Sequence, residues 1–317
     1  MAKEKVLITG GAGYIGSVLA GHLLGEGYQV TCLDNFSVGQ ESSMSLLHLV
    51  HMPGFNFVFG DVRDKKTLER IVPEYDVIIP LAAIVGAPQC DLNSIDSVLV
   101  NRDAIVNINH IRSKNQKLVY PNTNSGYGAT TGEVFCTEET PLEPISLYGK
   151  TKCEAEKELL GAGKPAVTLR LATVFGISPR MRTDLLVNYF TLKAVTDGCL
   201  VVYQKEFKRN FVHVRDIARC FQHCIENFDL MKGKAYNVGL DEANLSKQEL
   251  AEKIKKQVPE FNVIYQEIGA DRDKRNYIVS NERVTRTGFK PSHSLDEGIS
   301  ELIRGYGVMF GGTVFRQ

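Results

Sequence analysis

Apolar residues recur along the first half of the chain in two alternating rhythms. Short runs rich in β-branched residues, at 5–9, 29–34, 56–60, 76–82, 117–121 and 166–171, read as strands. The longer segments 14–26, 65–72, 94–113 and 146–160 read as helices. This alternation predicts right-handed βαβ units and a parallel sheet with helices on both faces. Several strands are apolar almost throughout, as expected when both faces are covered.

After Gly176 the rhythm changes. A helix at 185–197 is followed by strands at 200–203 and 211–214, a helix at 215–227 and a strand at 234–238. Ser246 with Glu249, and Ser294 with Glu297, form the reciprocal pairs that open helices. The expected fold class is α/β: a doubly wound parallel sheet, with a smaller mixed α/β C-terminal lobe. The first domain is expected over residues 1–176, with 209–240 packing back onto it, and the second lobe over 177–317. A ligand would lie in the cleft between them.

Composition narrows the function. Hydrophobic content of 43% over 317 residues suits a globular protein of this size. Lysine plus arginine, 37, equals aspartate plus glutamate, 37, so the basic excess of a nucleic-acid binder is missing. The cysteines number seven, an odd count, and none form C-x-x-C; this pattern predicts reduced thiols and a cytoplasmic setting. His48 with His51, and Cys220 with His223 and Cys224, have metal-like spacing but no evident further ligand. They read as surface histidines and small buried thiols. The longest apolar stretch, 77–88, is too short to span a bilayer and contains Pro80 and Gly86. The charged opening runs straight into a strand and does not read as a secretion signal.

Candidate chemistry starts at residues 5–16, KVLITGGAGYIG. An apolar strand runs into Gly10, Gly11, Gly13 and Gly16 and then a helix, the Rossmann-type turn that brings backbone close to a pyrophosphate at a helix N-terminus. The second strand ends at Asp34, about 20 residues beyond, as such sites require. Its carboxylate would accept bonds from the adenosine ribose and repel a 2′-phosphate. Asn35 and Phe36 offer no arginine in compensation, so the expected cofactor is NAD. Asp61, with Val62, ends the third strand and could bond the adenine amino group. Leu81, Ala82 and Ala83 end the fourth with small side chains. Tyr14, Ile15 and Asn101 complete the expected cofactor contacts.

Tyr148 and Lys152 lie four residues apart, on one face of a predicted helix. A neighbouring ammonium favours the phenolate, so such a tyrosine can take a proton from a hydroxyl near neutral pH.

These pieces resemble the extended short-chain dehydrogenase/reductases, in their nucleotide-sugar epimerase/dehydratase branch. The matching segments are TGGAGYIG (9–16), LDN (33–35), GDV (60–62), LAA (81–83), YPNTNSGYG (120–128), YGKTK (148–152), LRLATVFG (169–176), RNFVHVRD (209–216) and NVG (237–239). The resemblance implies Tyr148 as acid/base, Lys152 as holder of the nicotinamide ribose, and Thr123 as partner of the reacting hydroxyl. The family's dehydratases and decarboxylases carry carboxylates after that threonine, and its GDP-sugar epimerase-reductases a cysteine. Here stand Asn124 and Ser125. Dehydration and decarboxylation are therefore not expected, which leaves hydride chemistry at one sugar carbon, C4.

Longer stretches are similar to a bacterial subgroup acting at C4 of a GDP-linked manno-heptose for surface polysaccharide. The resulting expectation is a GDP-linked heptose or hexose 4-dehydrogenase. A UDP-linked substrate, a 4-epimerase, a 4-ketoreductase and a non-catalytic NAD-binding regulator are the alternatives. On the substrate side the resemblance implies Asn124, Ser125, Arg180, Arg209 and Arg275, with Arg182 nearby, and Thr173 where the family often has Asn. Arginines suit a diphosphate because they offer paired donors. The resemblance also implies a homodimer through the helix at 94–113 and the helix bearing Tyr148.

Overall fold

The computed structural model describes residues 3–130, 133–266 and 276–311. Seven parallel strands form one sheet. From one edge they run Phe55–Phe59, Gln29–Asp34, Lys5–Thr9, Val77–Pro80, Lys117–Thr123, Val167–Leu171 and Lys234–Val238. The chain winds outward from Lys5–Thr9 in one direction, then resumes at Val77–Pro80 and winds in the other. That reversal opens a crevice at the carboxyl ends of the two strands, where open α/β sheets bind ligands.

Period-two alternation sorts the side chains into two cores. Val6, Ile8, Val30, Cys32, Val77 and Ile79 face helices Tyr14–Gly25 and Val214–Glu226. Leu7, Leu33, Ile78, Leu118 and Tyr120 face Lys65–Ile71, Ala104–Ile111 and Leu147–Gly161. Each such fully buried aliphatic side chain contributes about 1.5–3 kcal/mol, so the sheet is the rigid frame of the molecule.

A third core joins helices Leu186–Thr196, Lys247–Gln257 and Leu295–Phe310 to the parallel pair Cys199–Tyr203 and Asn262–Gln266. Both predicted capping boxes are formed. Strand Lys208–His213 pairs with Thr173–Phe175 on one side and Asn244–Ser246 on the other.

Several elements differ from the sequence reading, most by a residue or two at an end, and two of them differ in ways that matter here. The strand expected at 211–214 starts at Lys208, because Lys208, Arg209 and Asn210 pair with Ser246, Leu245 and Asn244. It stops before Val214, because the His213 ring accepts the Arg215 N–H and caps the next helix. The helix expected over 94–113 has a wide turn at Leu99–Asp103, between Ser94–Val98 and Ala104–Ile111. Among the described residues no helix is long and apolar enough to cross a membrane.

Candidate functional site

Strand Lys5–Thr9 delivers the chain to the crevice at Gly10, whose φ of +72° suits glycine. Its N–H donates to Leu33 O at 2.8 Å. A Cβ there would lie 2.6 Å from Ala82 N, so the turn fits only because that side chain is missing. At Gly16 a Cβ would meet Gly10 O at 2.3 Å, so the helix sits directly on the turn. Gly13 occupies the cap position and no side chain caps the helix. The first-turn N–H groups of Tyr14 and Ile15 are thus left for a ligand, as an anion site requires.

The Asp34 carboxylate closes the turn from the next strand. It accepts from Ala12 N at 3.0 Å and Phe36 N at 2.9 Å, and burial pushes its pKa up. Asn35 donates to Asp61 at 2.8 Å. Arg63 grips the same carboxylate, reaches Asp96, and holds the Asp61 pKa down to about 2. Val62 is buried beneath.

Leu81, Ala82 and Ala83 pass beside the glycine turn. Leu81 N and Ala82 N donate to Thr9 O and Thr9 Oγ1. The buried Asn101 binds both backbone groups of Ile84, at 2.8 and 2.9 Å. Its amide holds this passage in place. The phenol of Tyr14 is likewise turned to Gly176 O, at 2.7 Å, so only its backbone serves the turn.

Across the switch point, Ser146 caps helix Leu147–Gly161 by accepting Gly149 N at 3.1 Å. Tyr148 in its first turn is half-buried, and Lys152 is buried. The Lys152 Nζ lies 4.2 Å over the Tyr120 ring, and burial pushes its pKa down to about 7. Tyr120 belongs to strand Lys117–Thr123, which ends at Thr123. Thr123 Oγ1 donates to Ser125 Oγ at 2.9 Å and accepts Ser125 N at 3.1 Å. Helix and strand end meet here: a Cβ built on Gly149 would lie 3.5 Å from Ser125 O.

One positioning element escaped the sequence reading. Glu156 lies eight residues beyond Tyr148, on the same helix face. Its buried carboxylate accepts from Arg170 at 2.7 and 3.0 Å, Asn122 at 2.8 Å and Thr168 at 2.9 Å. Asn122 precedes Thr123, so one carboxylate sets both the helix rotation and the strand end. The i, i+4, i+8 spacing of Tyr, Lys and Glu was the available signal.

The expected substrate residues are spread more widely. Asn124 is fully buried and neither end of its amide has a partner among the described residues. Thr173 is half-buried on its short strand beside Phe211. Arg180 donates to Met181 O, while its Nε is buried with no partner among the described residues. Arg209 is buried, with its guanidinium 5.4 Å from the Tyr277 ring centre. Arg182 pairs with Asp184 through Nε at 2.9 Å. Arg275 lies outside the described residues. Among those described, no three His, Cys, Asp or Glu residues gather to hold a metal ion, and all seven cysteines are free.

Comparison with known proteins agrees with this arrangement. The model of the NAD dependent epimerase/dehydratase family matches residues 6–239. The chain is 28% identical to the low-salt glycan biosynthesis protein Agl12 of Haloferax volcanii, over 95% of this chain and 98% of that protein. It is 36% identical to UDP-arabinose 4-epimerase 1 of Arabidopsis thaliana over 56% of this chain. The chain spans less than half of that relative, 44%. Among solved structures, the UDP-glucose 4-epimerase of Thermus thermophilus in complex with NAD has a TM-score of 0.80 at 24% identity, covering 95% of this chain and 98% of that one.

Proposed function

This chain belongs to the NAD dependent epimerase/dehydratase family, and we propose that it oxidises the C4 hydroxyl of a nucleotide-linked sugar. The observation that carries this reading is the strand end opposite Tyr148. There Thr123 is followed by Asn124 and Ser125, and its hydroxyl bonds Ser125, not a carboxylate. Without an acid at those positions, the chemistry is confined to one proton and one hydride at C4.

The residues present fit NAD. The glycine turn has no room for side chains at Gly10 and Gly16, the helix above it is uncapped, and Asp34 lies at the next strand end. Gly10, Gly13, Gly16 and the backbone of Tyr14 and Ile15 would hold the pyrophosphate, and Asp34 the adenosine ribose. Asn35 and Asp61 would face the adenine, and Leu81, Ala82 and Ala83 would flank the cofactor. When bound, NAD supplies the hydride acceptor.

The chain's own groups handle the proton. Tyr148, as phenolate, takes it from the C4 hydroxyl. Thr123 bonds the same oxygen, with Ser125 fixing the Thr123 hydroxyl. Lys152 brings an ammonium to this space and would bond the nicotinamide ribose. A positive charge beside a phenol favours its ionised form.

Two finer readings have separate support. The stretches resembling the GDP-heptose subgroup favour a GDP-linked heptose or hexose 4-dehydrogenase for surface polysaccharide. The relatives named as 4-epimerases favour return of hydride to the opposite face of C4. In either case residues 177–317, with Arg209 and Arg275 on the diphosphate, would form the substrate lobe. A homodimer would pair the helices of residues 94–113 and 147–161.

The test is incubation with GDP- and UDP-linked sugars, followed by absorbance and product analysis. A 4-keto sugar with NADH identifies a dehydrogenase. A C4-inverted sugar without net NADH identifies an epimerase. A 4-keto-6-deoxy product would overturn the reading.

A further inference from the structure

Four buried side chains form a row from the expected diphosphate end of the site to the acid/base end. The Arg209 guanidinium lies 5.4 Å from the centre of the Tyr277 ring. That ring meets the Tyr127 ring edge-on, with centres 6.4 Å apart and planes at 66°. The Tyr127 ring in turn has the Arg170 guanidinium 5.5 Å from its centre. All four residues are buried. Ring–ring and cation–ring contacts are attractive at these distances, and more so away from water.

The row is tied at both ends. Tyr127 closes the turn Asn124–Tyr127, which Thr123 opens. Its phenol donates to Asn237 Oδ1 at 2.6 Å and accepts from Arg170 Nη1 at 3.1 Å. Burial pushes the pKa of this phenol up to about 12, so it keeps the proton it donates. Arg170 is held by Glu156, on the helix of Tyr148. At the other end Arg209 belongs to strand Lys208–His213. Asn276, beside Tyr277, fixes that strand to the chain just beyond the turn. Its Oδ1 accepts Lys208 N at 2.9 Å, and its backbone oxygen accepts Thr130 N at 2.8 Å and Thr130 Oγ1 at 2.9 Å. Close-packed interiors transmit small shifts along such contacts.

We infer that Tyr277 and Tyr127 are positioning residues that set the acid/base end of the site at a fixed distance from the diphosphate end. Filling the diphosphate end then orders the turn that carries Thr123. The inference rests on the proposed reading of Arg209 and Thr123 as groups that meet a nucleotide-linked sugar.

The experiment perturbs one end and reads the other, with thermal unfolding of each variant. UDP and GDP carry no sugar, so their affinity by calorimetry reports the diphosphate end. The kcat at saturating nucleotide-sugar reports the acid/base end. Tyr277→Leu should lower kcat roughly threefold to tenfold, besides weakening UDP or GDP. Tyr127→Leu should weaken UDP or GDP by a similar factor, although Tyr127 lies on the turn of Thr123. The double variant should be little worse than the poorer single one, as expected of coupled residues. Tyr277→Phe, which keeps the ring, should recover both readings. A purely structural role would lower the Tm and leave the far end unchanged per folded molecule.

Should a leucine variant not fold, hydrogen exchange on the wild type decides. UDP or GDP should slow exchange at residues 123–130, and unchanged exchange there overturns the inference. Wild type that binds UDP or GDP, with no far-end effect in either leucine variant, overturns the inference alone. Wild type that binds neither sinks the nucleotide-sugar reading and the inference with it.

Discussion

Replacing Lys152 with methionine should make the cofactor-free protein more stable while abolishing its activity. The side chain is 3% exposed, and burial lowers its pKa from 10.5 to about 7. At 1.36 kcal/mol per pH unit, keeping it charged costs the fold up to about 5 kcal/mol, and about 4 kcal/mol at pH 7, where it is half protonated. The contact of Nζ with the Tyr120 ring, at 4.2 Å, offsets about 1–2 kcal/mol. Methionine fills similar volume without charge, so a net gain of about 2–3 kcal/mol is expected at pH 7.

The sign follows from proton counts. Between pH 7 and 10.5 the unfolded chain binds a proton at this position that the folded chain has lost. Wild-type stability therefore rises with pH across that window, by up to about 1.4 kcal/mol per unit from this group. Lys152→Met has no such term, so its advantage should shrink as pH rises. Urea unfolding of both proteins at pH 7 and pH 9.5 measures this directly. A variant less stable than wild type at pH 7, or an advantage independent of pH, would refute the reasoning.

Other outcomes follow from the same geometry. Gly16→Ala would place a Cβ 2.3 Å from Gly10 O and push the helix off its turn; calorimetry should show NAD binding lost at least tenfold. Glu156→Leu leaves Arg170 buried and unpaired, at a cost of about 3–5 kcal/mol in urea unfolding. The double variant with Arg170→Met should recover most of that loss. Asn101→Ala releases both backbone groups of Ile84; NAD affinity should fall severalfold, measured by fluorescence titration.

Much of the fold was legible because its frame is written in local terms. Strands Lys5–Thr9, Gln29–Asp34 and Lys234–Val238 have the bounds expected from their apolar runs. Ser246 and Ser294 carry their own start signals. What escaped depends on partners distant in sequence. Strand Lys208–His213 opens with charged residues that no propensity favours, and forms because Asn244–Ser246 pairs with it. The wide turn at Leu99–Asp103 places Asn101 against Ile84, a contact invisible in the helical pattern.

The site divides in the same way. Glycine spacing and the Tyr148–Lys152 pair are short-range patterns, legible because they follow one another in order along the predicted strands and helices. The turning of Tyr14 toward Gly176, 162 residues away, and the locking of Glu156 by Arg170 follow only from the fold. Burial also changes the electrostatics expected from spacing. Four residues on a helix suggested an ammonium that acidifies a phenol. The structure places that ammonium where its own charge is disfavoured.

The central claim is that Tyr148 removes a proton from a sugar hydroxyl, and the most direct test is turnover of GDP- and UDP-linked sugars by wild type and Tyr148→Phe. Wild type should convert at least one of them, with NADH or a C4-inverted product appearing. The phenylalanine variant should be slower by roughly 10²–10⁴-fold while still binding NAD. Equal rates in the two proteins would contradict the account.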